Sequence, residues 1–192
     1  MSRKQDKEIV LGNLITALHL LERSRDFARA IPEIRASLAY APVWAKTVKD
    51  VAAVEGRIAP VAGYPRAAGM PAFGASLRTA ATILELRKYD PGINAAIIFK
   101  CDKEIIELLK KYASERKLRF GMIDRNLPPP PGYSGSNWRM KYLVDTSGGA
   151  PRVFYENEGM GREQLSIIMG GDAVEVARMA LEISRRYRKI KR

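Results

Sequence analysis

Arginine next to glycine recurs where this chain leaves its regular elements, and that pairing is suited to holding anions. Gly56-Arg57 comes first, followed by a glycine-rich loop ending in Phe73-Gly74-Ala75-Ser76. Glycine lets a backbone approach a ligand closely, and a helix start offers free N–H groups and partial positive charge, a combination suited to phosphate. Gly159-Met160-Gly161-Arg162 is the second segment. Two glycines let the backbone fold around an oxyanion, and arginine can grip phosphate with two parallel hydrogen bonds. A third, Ile123-Asp124-Arg125, ends a predicted strand, where α/β sheets commonly place functional groups. None of these is a Walker loop or a dinucleotide fingerprint. Residue types alone favour a tight turn over a phosphate site at the glycine segments, and a local salt-bridged turn at Asp124-Arg125.

Other chemistries have less to work with. Cys101 is the only cysteine and His19 the only histidine. An internal disulfide is therefore excluded, a Cys–His pair would have to join residues far apart in sequence, and no cluster has metal-ligand spacing. Cys101 reads as a buried thiol and His19 as a packed or surface residue.

These segments need elements to position them. Leu11, Leu14, Ile15, Leu18 and Leu21 give one apolar face and predict a helix over 5–31, ended by Pro32. A short strand follows over 37–41. Thr47 with Asp50 makes a variant capping box that opens a helical turn. Residues 57–62 predict a strand, with Pro60 marking an edge or bulge, and 63–76 a long loop. Ser76 is expected to cap a helix reaching Lys88. Asn94–Lys100 is the clearest buried strand, Asp102 caps a helix to about Glu115, and 118–124 is another strand. That order suggests a parallel pair with a crossover helix. Four prolines, Pro128 to Pro131, keep 125–136 irregular. A short helix over 138–145, strands over 151–156 and 165–170, and a long helix capped by Asp172 complete an α/β pattern.

The 192 residues are 46% hydrophobic, enough for one domain with a real core, 1–192. No apolar run approaches the roughly 20 residues that span a bilayer, and the first residues make a poor signal peptide, so no membrane role and a cytoplasmic location are expected. The formal net charge is +12, which points to anionic partners. Part of the excess lies in Arg178, Arg185, Arg186, Arg188, Lys189, Lys191 and Arg192, the last mostly within the basic end at 184–192. A solvated, fraying helix end is favoured there over nucleic-acid contact, because no zinc-finger spacing, basic zipper or aromatic RNA-binding signature accompanies it. Assembly into a homo-oligomer is left open.

Taken in order, the short motifs are more specific than any one of them. Phe27-Ala28, Ile31-Pro32-Glu33-Ile34, Ala39-Tyr40, Asp50-Val51-Ala52-Ala53-Val54-Glu55-Gly56-Arg57-Ile58, Phe73-Gly74-Ala75-Ser76, Tyr89-Asp90-Pro91, Asp124-Arg125, Trp138 and Gly159-Met160-Gly161-Arg162-Glu163 together resemble the archaeal-type (ThiN-type) thiamine-phosphate synthase domain. The resemblance runs from about residue 8 to 183. No kinase or helix-turn-helix portion precedes it, so the domain is expected to stand alone. The resemblance implies a three-layer α/β/α fold with a mixed sheet, similar to class II aldolases and epimerases. It also implies joining hydroxymethylpyrimidine diphosphate to thiazole phosphate, with Mg²⁺ as the expected cofactor and phosphorylated small molecules, thiamine phosphate included, as partners.

Carried over by position, Arg57 matches the family's Gly-Arg-Ile/Val arginine and is assigned to the diphosphate. Arg78 stands where the family usually has histidine, and the two are the expected catalytic residues. Gly74, Ala75, Ser76, Asp124, Arg125, Gly159, Gly161 and Arg162 are the expected phosphate-binding set, with no protein metal ligand. The chain departs from the family pattern at Ser37 (often asparagine), Asn137 (glutamate), Glu156-Asn157-Glu158-Gly159 (Asp-Arg-Gly-Gly) and Arg162 (lysine). Arginine stabilises an anion but does not exchange a proton near neutral pH. The alternative to an enzyme is therefore a non-catalytic module that senses thiamine phosphate. A sugar-phosphate enzyme of the aldolase type, which normally holds metal with several histidines, is disfavoured by the single His19.

Overall fold

The structure, a computed structural model, describes residues 2–135, 137–159 and 161–191. Met1, Ser136, Met160 and Arg192 lie outside the described residues, one position each of the start, the proline-rich segment, the Gly-Met-Gly-Arg motif and the basic tail.

The predicted first helix is two helices. α1 (Arg3–Glu22) starts at a capping box in which the Ser2 hydroxyl and Gln5 bond reciprocally, and α2 (Arg25–Ala28) follows. The break falls at Ser24, whose hydroxyl accepts from the Phe27 N–H at 3.1 Å. That side-chain cap gives the backbone an alternative to continuing the helix, a signal the leucine periodicity overrode.

Strand β1 (Ser37–Tyr40) leads to a 3₁₀ turn at Val48–Asp50, where Thr47 and Asp50 form the expected capping box. β2 (Ala52–Val54) was hidden in sequence, because Val51-Ala52-Ala53-Val54 is short and fully buried. β3 (Ile58–Val61) and β4 (Tyr64–Ala67) form a separate hairpin, and β5 (Pro71–Phe73) joins the main sheet. The predicted long loop over 63–76 is therefore half strand. Ala62 and Gly63, at φ 49° and 78°, make the two-residue connection that suits a twisted hairpin. Pro60 faces Pro65 in this two-stranded ribbon, which has edges on both sides.

The remaining elements are α3 (Leu77–Arg87), β6 (Ala95–Lys100), α4 (Lys103–Glu115), β7 (Phe120–Ile123), α5 (Trp138–Thr146), β8 (Val153–Glu156), β9 (Leu165–Gly170) and α6 (Ala173–Ile190). The seven-stranded sheet has the order β5-β2-β1-β6-β9-β8-β7 and is mixed. Its one parallel pairing is β7 with β8, joined through α5. β6 and β7 are thus not the predicted neighbouring pair. They run in the same direction, but β9 and β8 lie between them, each inserted from later in the chain.

Strand residues alternate between two apolar cores. Leu38, Ala95, Ile97, Phe99 and Ile168 pack with α1, α2, α4 and α6 on one face. Ala39, Ala96, Ile98, Phe154 and Ile167 pack with α3 and α5 on the other. Burial of both faces accounts for the near-continuous apolar runs and makes three layers, α/β/α. α6 continues to Ile190, and the Tyr187 O–H donates to Asp102 at 2.5 Å, tying it to α4.

Candidate functional site

Two residues beyond Phe154 on β8, the alternation turns Glu156 toward the α3/α5 face, and Glu156 is buried. Two guanidinia meet its carboxylate. Arg78, in the first turn of α3, pairs with Oε2, and Arg125, just past β7, donates Nε at 2.9 Å and also pairs through its second terminal nitrogen. Arg125 is itself fixed. Its N–H donates to Asn157 Oδ1 at 2.7 Å and its Nη1 to the Glu163 carbonyl at 2.8 Å. Arg139 of α5 donates to the carbonyls of Arg125 and Leu127 and stacks over Trp138, 4.6 Å from the ring centre.

Between them is a pocket of about 380 Å³, lined by Arg78, Arg125, Arg139 and Arg162, with Glu156, Gly159, Ile123 and Met140. That volume suits a small organic molecule. Four guanidinia face one carboxylate already engaged by two of them, which leaves an excess of positive charge. Burial lowers the Arg78 pKa most. Glu156 opposes that effect, while Arg125, Arg162 and Arg57 add to it, so Arg57 belongs to the same electrostatic neighbourhood without lining the pocket. Arginine stays protonated under such pressure, and an arriving anion would relieve it.

A second layer of contacts joins the motifs. The Glu163 carboxylate accepts the N–H groups of Glu33 and Ile34 at 3.2 and 2.9 Å. Arg57 donates to the Ile34 carbonyl at 2.7 Å. Both sides of the Ile34 peptide are held, one by the segment before β9 and one by the segment before β3. At the start of α3, Ser76 is the cap residue but makes no side-chain cap bond. Its hydroxyl instead donates to Thr79 Oγ1 at 3.0 Å, and Ser37 lies 2.8 Å from the same oxygen.

Of the expected site residues, Arg78, Arg125, Gly159 and Arg162 come together in the pocket, with Arg57 beside Arg78. Gly74, Ala75 and Ser76 form the entry to α3, where the Gly74 N–H is taken by the Val51 carbonyl at 2.9 Å. Asp124 is turned into its own loop. Its Oδ1 accepts from Asn126 N–H and Asn157 Nδ2 at 2.9 and 2.7 Å, and those bonds hold its carboxyl below the usual range. Gly159 and Arg162 donate their N–H groups to each other's carbonyls at 3.0 and 2.8 Å, with Gly161 at φ 67°. That is a tight turn whose offering to a ligand is the Arg162 side chain rather than those two N–H groups. Glu156, Arg139 and Glu163 are participants to which no role was assigned from sequence. Glu156 and Glu163 stand inside segments compared with the family and Arg139 follows Trp138, which is the only signal they carried.

The donors for a protein-held cation are not gathered. Among the described residues no three His, Cys, Asp or Glu side chains cluster to hold a metal, and no helix is long and apolar enough to cross a membrane.

Comparison with known proteins gives a consistent picture. A family described as thiamine-phosphate synthase ThiN matches residues 13–182. The chain is 31% identical to the thiamine-phosphate synthase ThiN of Methanothermobacter thermautotrophicus, covering 94% of this chain and 95% of that protein. It is 34% identical to the bifunctional thiamine biosynthesis protein ThiDN of Methanocaldococcus jannaschii, over 95% of this chain but only 42% of that protein's length. The crystal structure of the C-terminal domain of protein MJ0236 superposes with a TM-score of 0.84 at 34% identity, covering 96% of this chain and 98% of the other. An aldolase II superfamily protein from Pseudomonas syringae, 11% identical with a TM-score of 0.52 over 98% of this chain and 77% of that one, shares the fold alone.

Proposed function

Because the chain belongs to the thiamine-phosphate synthase ThiN family, with its role in thiamine biosynthesis, we propose that the arginine-lined pocket joins hydroxymethylpyrimidine diphosphate to thiazole phosphate. The observation that carries this reading is the convergence of Arg78, Arg125, Arg139 and Arg162 on one pocket, the first two paired with the buried Glu156 carboxylate and Arg57 alongside. The thiazole nitrogen lone pair forms a bond to the pyrimidine methylene carbon. The bond from that carbon to the diphosphate oxygen breaks, and its electron pair leaves on pyrophosphate. No proton has to move, so a fixed guanidinium at position 78 meets the need. Charge that develops on the leaving group falls where preorganised cations already stand. Ion pairing and carbonyl contacts hold those cations in place before substrate arrives.

A metal ion held by the protein does not fit this donor set, since Glu156 is engaged and, among the described residues, no further carboxylates gather beside it. Mg²⁺ is proposed only as a companion of the substrate diphosphate.

A second reading has one observation in its favour. Arg78, locked to Glu156, stands where the family usually has histidine, and a guanidinium so held binds an anion whether or not turnover follows. That suits a module that binds thiamine phosphate or a related ester without turnover. Incubating the purified chain with both substrates and Mg²⁺ separates the readings. Thiamine phosphate appearing in step with pyrophosphate is the expected result. Ligand binding by a folded chain without product moves the conclusion to the sensor, and no binding of either substrate or of thiamine phosphate sinks both.

A further inference from the structure

The basic end of α6 takes no part in the pocket. On the side facing α4, its charges are matched, Arg186 by Glu115 and Glu182 and Lys191 by Glu104. The other flank carries Arg185 and Arg188 toward the end of α1, α2 and the β3–β4 hairpin. There, Tyr64 sits at the junction of two adjoining surface clefts of about 460 and 470 Å³, both of which also include Arg23. The guanidinia of Arg25 and Arg66 stand 4.8 and 5.4 Å from the Tyr64 ring centre, which holds two otherwise mobile side chains in the groove.

Arg23, Arg25, Arg66, Arg185 and Arg188 thus share one groove with two carboxylates, Glu22 and Asp26. Both acids are committed. Glu22 accepts the Ala67 N–H at 3.1 Å, and Asp26 lies 3.3 Å from Arg188 Nε. Arg23, Arg25 and Arg185 have no ion-pair partner among the described residues. The hairpin separates this groove from Arg57, because Tyr64 closes its turn against Val61 while Ile58 and Ala67 pair at the far end.

We propose that this groove binds the phosphodiester backbone of a nucleic acid. Its cations come from α2, β4, α6 and the residue that ends α1, and extend along two clefts, which suits a repeated anion better than a single phosphate. Guanidinia already engage the Tyr64 ring, so the contacts are to phosphates rather than to stacked bases, and recognition is of backbone rather than sequence. None of the groove's residues is among the exposed large apolar side chains that a membrane contact would insert. No linear motif announces the groove because it is assembled only by folding. The inference does not rest on the reaction proposed above.

The test is fluorescence anisotropy with a labelled 20-nucleotide oligouridine and a 20-base-pair DNA duplex, at 50 and 200 mM KCl. Binding to one or both is expected. If three phosphates are neutralised, single-strand affinity falls roughly twentyfold across that salt range. Replacing Arg23, Arg25 and Arg185 together by Gln lowers affinity at least tenfold at 50 mM with an unchanged melting temperature, since all three are exposed. Replacing Lys103, Lys110 and Lys111 of α4 by Gln removes equal charge and changes affinity less than twofold. Equal losses in the two triples, no loss in either, no binding at 50 mM, or binding to phosphatidylglycerol vesicles but to neither nucleic acid would each overturn the proposal.

Discussion

Arg57 occupies a backbone conformation, φ 68°, that costs a residue with a Cβ about 1–2 kcal/mol, and it follows Gly56 at φ 62°. Glycine would be easier there, so the side chain is the reason for the strain. Arg57→Gly relieves the strain but loses the bond to the Ile34 carbonyl, which contributes about 1 kcal/mol. Stability by chemical denaturation is therefore expected to change by no more than about 1 kcal/mol, while kcat/KM for thiamine phosphate formation falls about 10²–10³-fold. A large stability loss with kcat/KM retained would make Arg57 a fold residue. At this scale the sequence was informative about cations and poor about acids. Arg57, Arg78, Arg125 and Arg162 stand out beside glycines or at element ends. Glu156 and Glu163 look like any solvated glutamates, and only pairing across 78 and 130 residues gives them a place.

Element starts and stops were legible where a side chain does the capping. Asp102 accepts the Ile105 N–H at 2.9 Å, as Asp172 does for Glu175 at 2.8 Å, and both helices begin where expected. Asp102 also accepts from Tyr187, so one residue both starts α4 and anchors α6. Asp102→Ala is expected to cost about 1–2 kcal/mol through the lost cap and more through the orphaned tyrosine hydroxyl. A denaturant midpoint within error of wild type would remove that anchoring role. What stayed illegible were short strands of small residues. Ala52–Val54 and Pro71–Phe73 are three residues each, too brief for alternation to show, and their pairing is with distant partners. Ser24 shows the opposite failure, a cap overlooked because the apolar pattern on either side continued.

At the scale of the molecule, two buried faces explain why a mixed sheet reads as apolar runs, and why strand neighbours could not be deduced from chain order. β8 and β9 enter the sheet between β6 and β7 long after those strands are made. Just past β6 lies Cys101, whose thiol burial raises to a pKa of about 11, Ser166 partly opposing. A raised pKa in the folded state means that the unfolded chain releases this proton first. The associated stability is fully present below the unfolded pKa, near 9, and is lost as pH rises through about 11. Cys101→Ala should flatten the decline in stability over that window, as seen in denaturant midpoints from pH 8 to 11. An equally steep decline would assign it to other groups.

In the proposed reaction, preorganised guanidinia stabilise a departing diphosphate. The most direct measurement is the rate of thiamine phosphate formation by the wild-type chain beside Arg78→Ala, with folding of both checked by circular dichroism. Product from the wild type and a loss of about 10²–10³-fold in kcat/KM for the folded variant are expected. A wild type that yields no product, or a variant that works as well, would contradict that role.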